Sequence, residues 1–467
     1  MVVARSVTEP GSAAARWPAL AVAIVAFVAS LLVIDPAHPP NPVNDAVQYL
    51  GYGRTLFATG RYALTDAGPR ADAGPGREPL YPVLIAAAMH LDPVLRDNAA
   101  RCIGNQSDPT CPPIYAGLLW LNALLAAVTA ALVWLAAHRL GAGRRASWIA
   151  GLYLAFDFIL FKEGRLPLSD FPAMALAAAL VLALAGAAAE RRAAWRWLAV
   201  GVVLALLILT KAVFELYGFA LIGVLTLVFL RLRDRAALAA LAAVTMALVV
   251  IVGGWAARNW AVFGRPSVTD SRGGQVLSTR EIFDHMTAGE YAASFVYWAR
   301  DPGERLARRL FSERDWHRLD RDAPDGFLAA GMTTRYDERV ARLMDERHLD
   351  HAAAEAAVPG MIVGEFVRAL PMYVATEIPL TWRGLWGDQF VFLGFPALLW
   401  LAVRSARRRD WCWVAALSPA LFSLFLLPAL SLNLYRFQLP AIPAMALAGG
   451  VALAAIADRL LAAARRR

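Results

Sequence analysis

Apolar runs long enough to cross a bilayer recur along most of this 467-residue chain, and that repetition leaves few folds open to it. A helix needs about 20 predominantly apolar residues to span the hydrocarbon core. Runs of that order fall at 17–34, 114–138, 146–161, 171–189, 197–214, 216–230, 236–256, 390–403, 411–430 and 439–457. In lipid the backbone must satisfy its own hydrogen bonds, so only helices or closed barrels span. The period-2 alternation of a barrel is missing from these runs. The hydrophobic share of 59% also exceeds the roughly 45–50% of soluble domains. The sequence therefore predicts an all-α polytopic membrane protein with about ten transmembrane helices.

Arginine placement sets the expected topology. The segment 79–91 is apolar but short, and is read as re-entrant or interfacial. With that segment not crossing, the groups Arg139/Arg144/Arg145, Arg191/Arg192/Arg196, Arg231/Arg233/Arg235, Arg404/Arg407/Arg408/Arg409 and Arg465/Arg466/Arg467 fall on one side. The positive-inside rule makes that side the cytoplasm and puts both termini there. An extra crossing would move Arg139, Arg144 and Arg145 outside. The net charge of +9 is accordingly read as a topology signal and not as a nucleic-acid footprint. The run at 17–34, preceded by Arg5 and Arg16, lacks a small-residue cleavage site and is read as a retained first helix. Three parts are expected: a membrane module at 1–263, a small and mainly helical outer domain at 264–388, and closing membrane helices at 389–467.

Between the first two long runs lies a stretch, 44–82, that is too long and too charged for a plain linker. It opens with Asp45. It continues through an amphipathic segment whose Val47, Leu50, Gly51, Leu56 and Phe57 are expected to face membrane, with Gln48, Arg54 and Thr55 turned away. It ends in Arg77-Glu78-Pro79-Leu80-Tyr81-Pro82. On the same expected outer face lie Lys162 to Asp170, Lys211 with Glu215, Arg258 with Asn259, and Arg436. Ionisable groups at membrane depth are costly and mark function by default. Plainer roles fit the same residues. Lys211 and Glu215 are spaced for an i,i+4 pair. Arg165, Arg258 and Arg436 could snorkel to headgroups. Asp170 before Phe171-Pro172 fits a helix N-cap, and Asp45 could cap the amphipathic helix. Cys102 and Cys111 share a polar loop and are expected to form a disulfide if that loop faces an oxidising compartment. Cys412 reads as an apolar filler.

An acid beside cations at a membrane surface suits transfer from a lipid-phosphate donor. The cations would hold the phosphate leaving group, and the acid would take a proton from the attacking hydroxyl. A transporter or flippase of a lipid-linked sugar would use the same cations without a base. A surface-polysaccharide polymerase or ligase would use outer-face arginines. The chain shows no internal repeat of the kind many carriers have.

The order of motifs NDAVQYLGYGRTLFATGRYAL, REPLYP, LSDFPAMALAAAL, LALLILTKAVFEL, GGWAARNWAVFGRPSVTDSRGG and LNLYRFQLPAIPAMALAGG resembles the GT-C glycosyltransferases, in the branch of protein O-mannosyltransferases and aminoarabinose transferases. The likeness runs from about residue 43 to 264 and from 432 to 450. It implies a GT-C-like helical bundle in a bacterial inner membrane, a polyprenyl-phosphate sugar donor, and inverting transfer at the periplasmic face to a lipid, glycan or protein acceptor. Asp45 matches the family's first-loop base. Lys211 matches a candidate phosphate ligand, Asp170 a residue that organises the site, and Arg258 and Arg436 phosphate- or acceptor-binding positions. Arg77, Glu78 and Tyr81 are candidates for donor or acceptor contact. Many members carry a paired acid near the first-loop aspartate. Here the neighbour is Asn44, so a divalent metal is not favoured and no cofactor is expected. The last motif has Phe437 where an aromatic hydroxyl is common.

Overall fold

The computed structural model of the chain describes residues 13–41, 45–64, 76–103, 108, 110–269, 272–431 and 433–466. Asn44, the middle of the catalytic-loop candidate (65–75), residues 104–107 and 109 of the cysteine loop, and Leu432 of the last motif lie outside them. Every element of the described residues is helical. Two compact units divide the chain. One comprises Met1–Val268, Asp388–Leu421 and Leu439–Arg467, and the other Thr269–Gly387 and Phe422–Gln438.

The first unit begins with α1 (Ala13–Ile34), α2 (Asp45–Thr59), α3 (Leu80–Leu91), α4 (Pro93–Cys102), α5 (Ala116–Arg139), α6 (Arg144–Ala155) and α7 (Phe158–Glu163). It continues with α8 (Asp170–Ala189), α9 (Ala194–Ile208), α10 (Phe214–Leu232), α11 (Arg235–Leu248) and, after a π-helical turn at Val249–Gly253, α12 (Gly254–Phe263). Val391–Arg407 and Ile442–Ala464 complete it, with part of Trp411–Leu430. Small residues let these helices approach closely, as is usual between membrane helices. A Cβ on Gly450 would lie 2.7 Å from the Ala146 carbonyl oxygen, so Ile442–Ala464 rests directly on the backbone of α6.

Seven described helices are long and apolar enough to cross a membrane, or eight if the pair Ala353–Arg368 and Leu370–Leu385, bent by 101°, is one span. Three of the expected ten runs fall short, each for a local reason. The run at 146–161 breaks at Phe156-Asp157, where Asp157 Oδ1 accepts the Leu160 amide at 3.0 Å and caps a new helix. The run at 197–214 ends at Ile208 and resumes only at Phe214. The run at 390–403 forms a helix of 17 residues whose last turn is cationic. The expectation for 79–91 agrees with α3, whose 12 residues rise only about 18 Å, short of the roughly 30 Å hydrocarbon core.

The second unit has two apolar cores of its own. Phe283, Trp298, Phe327 and Leu380 anchor one, and Tyr336, Val340, Leu343, Val358 and Ile362 the other. Two of its buried arginines are paired with carboxylates. Arg280 donates to Asp284 Oδ1 at 2.7 Å, and Arg339 bridges Glu281 at 3.1 Å and also Glu365.

Candidate active site

α2 begins at Asp45, whose carboxylate in the first turn is favoured by the positive end of the helix. Ala46, Tyr49, Leu50 and Gly53 are buried at the i, i+3, i+4, i+7 spacing of one helical face. This differs from the expected split. Leu50 is enclosed by protein and does not face lipid. The cause is α3: a Cβ on Gly53 would sit 2.5 Å from Ile85 Cγ2, so α2 lays its small and tyrosine residues on α3.

The turn at 76–80 is the hub that joins the early motifs. Arg77 donates through Nη2 to Asp45 Oδ1 and through Nε to Gln48 Oε1 at 2.9 Å. Its guanidinium also lies 4.8 Å from the centroid of the Tyr49 ring. Glu78 accepts the Tyr49 hydroxyl at 3.2 Å and the Ala212 amide at 3.2 Å. The Leu80 amide donates to the Leu209 carbonyl at 2.9 Å, so side chain and backbone together tie the hub to the turn carrying Lys211. Lys211 Nζ donates to Asp170 Oδ1 at 2.7 Å. Tyr49 closes the ring of contacts, its hydroxyl 2.9 Å from Ser169 Oγ beside Asp170. Tyr62 donates to the Arg77 carbonyl at 2.8 Å and fixes the hub from behind.

Asp45, Arg77, Glu78, Asp170 and Lys211 thus belong to one connected network. Arg77 is 5% exposed and Asp170 3%, against 27% for Asp45 and 19% for Lys211, so each ion pair has one enclosed and one partly open member. Burial works against the charge on Arg77, and Tyr49, Asp45 and Glu78 more than offset it. Burial, reinforced by Glu78, holds the Tyr49 hydroxyl above its ordinary range, so it remains a donor. Tyr81 meets Tyr49 edge to face at 5.3 Å. Its buried hydroxyl has no hydrogen-bond partner in the described residues.

Two plainer readings need correction. Asp170 is the first residue of α8 and makes an ion pair; Ser169 stands at the N-cap, without a side-chain cap bond. Lys211 is not helical, because α9 ends at Ile208, so the i,i+4 relation to Glu215 has no helix to act on. Arg258 follows the π-helical turn at Val249–Gly253, a feature common at functional sites. Its guanidinium stands 5.8 Å from the Tyr62 centroid, 5.0 Å from Trp255 and 5.2 Å from Phe263. Tyr62 therefore links Arg258 to the hub. Asn259 is fully buried, accepts from Arg258 at 2.9 Å and donates to the Ser267 carbonyl at 2.6 Å. Arg436 belongs to the second unit, in the 3-10 segment Tyr435–Ala441, with its guanidinium 5.5 Å from the Phe437 ring. Cys102 and Cys111 are bonded to each other, with S–S at 2.07 Å. No three of His, Cys, Asp or Glu in the described residues gather closely enough to hold a metal ion.

Tyr49, Gln48, Ser169 and Tyr62 join the network without having been expected there. The tyrosines at 49 and 52 were the available signal, since a lipid-facing helix has little use for two hydroxyls. Equally unexpected is the carboxyl pair Asp157 and Asp388, where the Tyr153 hydroxyl donates to Asp388 Oδ2 at 2.5 Å.

Residues 73–262 match the family model of dolichyl-phosphate-mannose-protein mannosyltransferases. The matched segment holds the hub, Asp170, Lys211 and Arg258, and Asp45 precedes it. The match supports a glycosyltransferase of the GT-C type, as the order of motifs implied. No curated protein matches the chain in sequence. Two solved structures are similar in fold. One is AglB, an oligosaccharyltransferase from Archaeoglobus fulgidus, in complex with an inhibitory peptide and a dolichol-phosphate. It has a TM-score of 0.47 and 14% identity, covering 96% of this chain and 51% of that one. The other is ArnT from Cupriavidus metallidurans bound to undecaprenyl phosphate, with a TM-score of 0.40 and 18% identity, covering 93% of this chain and 77% of that one. The chain spans about half the length of the archaeal protein.

Proposed function

We propose that the chain transfers a sugar from a polyprenyl-phosphate donor to an acceptor hydroxyl at the periplasmic face of a bacterial inner membrane, with inversion at the anomeric carbon. The acceptor oxygen attacks that carbon, the bond from carbon to the phosphate oxygen breaks, and polyprenyl phosphate leaves. Asp45 takes the acceptor proton. Arg77 positions Asp45 by donating to its carboxylate. Lys211 and Arg258 balance the charge on the departing phosphate, and Asp170 holds Lys211 in place. Glu78 accepts the Ala212 amide and so holds the Lys211 turn beside the hub. Both termini lie in the cytoplasm.

The observation that carries this reading is the network joining Asp45, Arg77 and Glu78 to Asp170 and Lys211. It brings the acid of the first loop and a lysine 166 positions away (211 − 45) into one hydrogen-bonded assembly. The match over 73–262 supports it. The test is a purified assay with a polyprenyl-phosphate sugar, reading release of free polyprenyl phosphate. Donor translocation across a vesicle without that release would favour a flippase.

A further inference from the structure

We propose that the end of helix Val391–Arg407 carries a binding site for an anionic phospholipid, separate from the transferase site. The helix buries Val391, Gly394, Ala397, Leu398, Leu401 and Ser405 against the protein. On another face, a groove of about 500 Å³ is lined by Leu399, Trp400, Val403, Arg404, Arg407 and Arg408. These residues form two i,i+4 rows, 399/403/407 and 400/404/408, that run side by side along the helix. The groove changes character along that axis. Its first part is Leu399, Trp400 and Val403, with Trp400 41% and Val403 51% exposed. Its second part is three arginines, and the whole rises about 13 Å.

That order matches a phospholipid lying against the helix, with acyl chain on the apolar part and phosphate on the arginines. Charge identifies the occupant. At two other places in this unit arginines meet carboxylates: Arg139 and Arg196 share Glu190, and Arg145 pairs with Asp458 at 2.6 Å. In the described residues no carboxylate pairs with Arg404, Arg407 or Arg408. Arg404 instead lies 5.0 Å from the Trp400 centroid, which places an interfacial aromatic beside the cation. Three arginines converging on a groove with an apolar floor complement an anionic headgroup whose tail lies in the bilayer. The proposal needs this helix to lie against lipid, not to span the membrane, and does not rest on the transferase reading.

The test uses native mass spectrometry of the full chain in detergent with equal amounts of phosphatidylglycerol or phosphatidylcholine. The expected result is retention of phosphatidylglycerol over phosphatidylcholine by roughly 100-fold. Each arginine removed lowers that retention about fivefold, so Arg407→Gln reads as a fivefold loss and the triple Arg404→Gln, Arg407→Gln, Arg408→Gln as a loss of roughly 100-fold. Trp400→Ala keeps the charges and loses part of the retention. Equal retention of the two lipids by the unaltered chain overturns the proposal without any variant. So does undiminished binding by Arg407→Gln. Inorganic phosphate displacing phosphatidylglycerol at comparable concentration would make this a phosphate site and not a lipid site. A dimer abolished by the triple variant would make the groove a contact between copies.

Discussion

Replacing Lys211 by methionine removes the cation from a pair whose acid cannot reach water. Lys211 Nζ lies 2.7 Å from Asp170 Oδ1, and the Asp170 side chain is 3% exposed against 19% for Lys211. At an effective dielectric constant of about 20, two unit charges at that separation attract by roughly 6 kcal/mol. Desolvation cancels much of that gain while the pair is intact. Breaking a buried pair typically costs about 3–5 kcal/mol because one charge is left uncompensated. The partial exposure of Lys211 places Lys211→Met near the lower end, about 3 kcal/mol. At about 2 °C per kcal/mol for a large domain, the melting temperature falls by about 6 °C. The reverse substitution, Asp170→Asn, leaves a lysine that can turn toward water and costs about 1 kcal/mol. The double variant Asp170→Asn with Lys211→Met removes both charges and recovers at least half of the loss. Thermal unfolding of the three purified variants in one detergent measures the cycle. Equal losses from the two single variants, or no recovery in the double variant, would refute the assignment of the cost to a stranded Asp170.

Two further outcomes follow from packing and protonation. Gly53→Ala forces its Cβ to 2.5 Å from Ile85 Cγ2 and costs about 1–3 kcal/mol by overpacking, whereas Gly223→Ala, where nothing lies near the added Cβ, leaves thermal unfolding unchanged or slightly improved. Burial pushes Asp388 up to about 6, and Asp157, enclosed and facing Asp388, is held well above its ordinary range. Both acids therefore bind protons more tightly folded than unfolded; the part of the stability that Asp388 contributes is fully present below about pH 4 and is lost as pH rises through about 6. Urea unfolding between pH 4 and 8 measures that slope, and Asp157→Asn, which can still donate to Asp388, flattens it.

The helical class was legible because backbone in lipid has so few options. The ends of helices were not, because single side chains decide them. Asp157 restarts a helix inside an apolar run by accepting one amide, and nothing in hydropathy marks that event. Lys211 shows the same limit at the site. Sequence spacing offers Glu215, four residues on, yet the ion pair in the structure is with Asp170, 41 residues away. Asp45, Arg77, Glu78, Asp170 and Lys211 could be picked out because ionisable residues near membrane spans are rare. Their connections run through Tyr49, Ser169 and the Ala212 amide, groups whose type carries no such signal. The membrane face of α2 was misjudged because period alone does not say whether lipid or α3 covers an apolar stripe.

Asp45 remains the residue on which the transferase mechanism turns. The most direct measurement is sugar transfer by purified Asp45→Asn from a polyprenyl-phosphate sugar, beside donor binding and thermal unfolding of the same sample. Loss of the base lowers transfer by about 10²–10⁴-fold while donor binding is kept, because Lys211 and Arg258 are untouched. Transfer at the level of the unaltered chain, from a variant that binds donor normally, would contradict the assignment of Asp45 as the base.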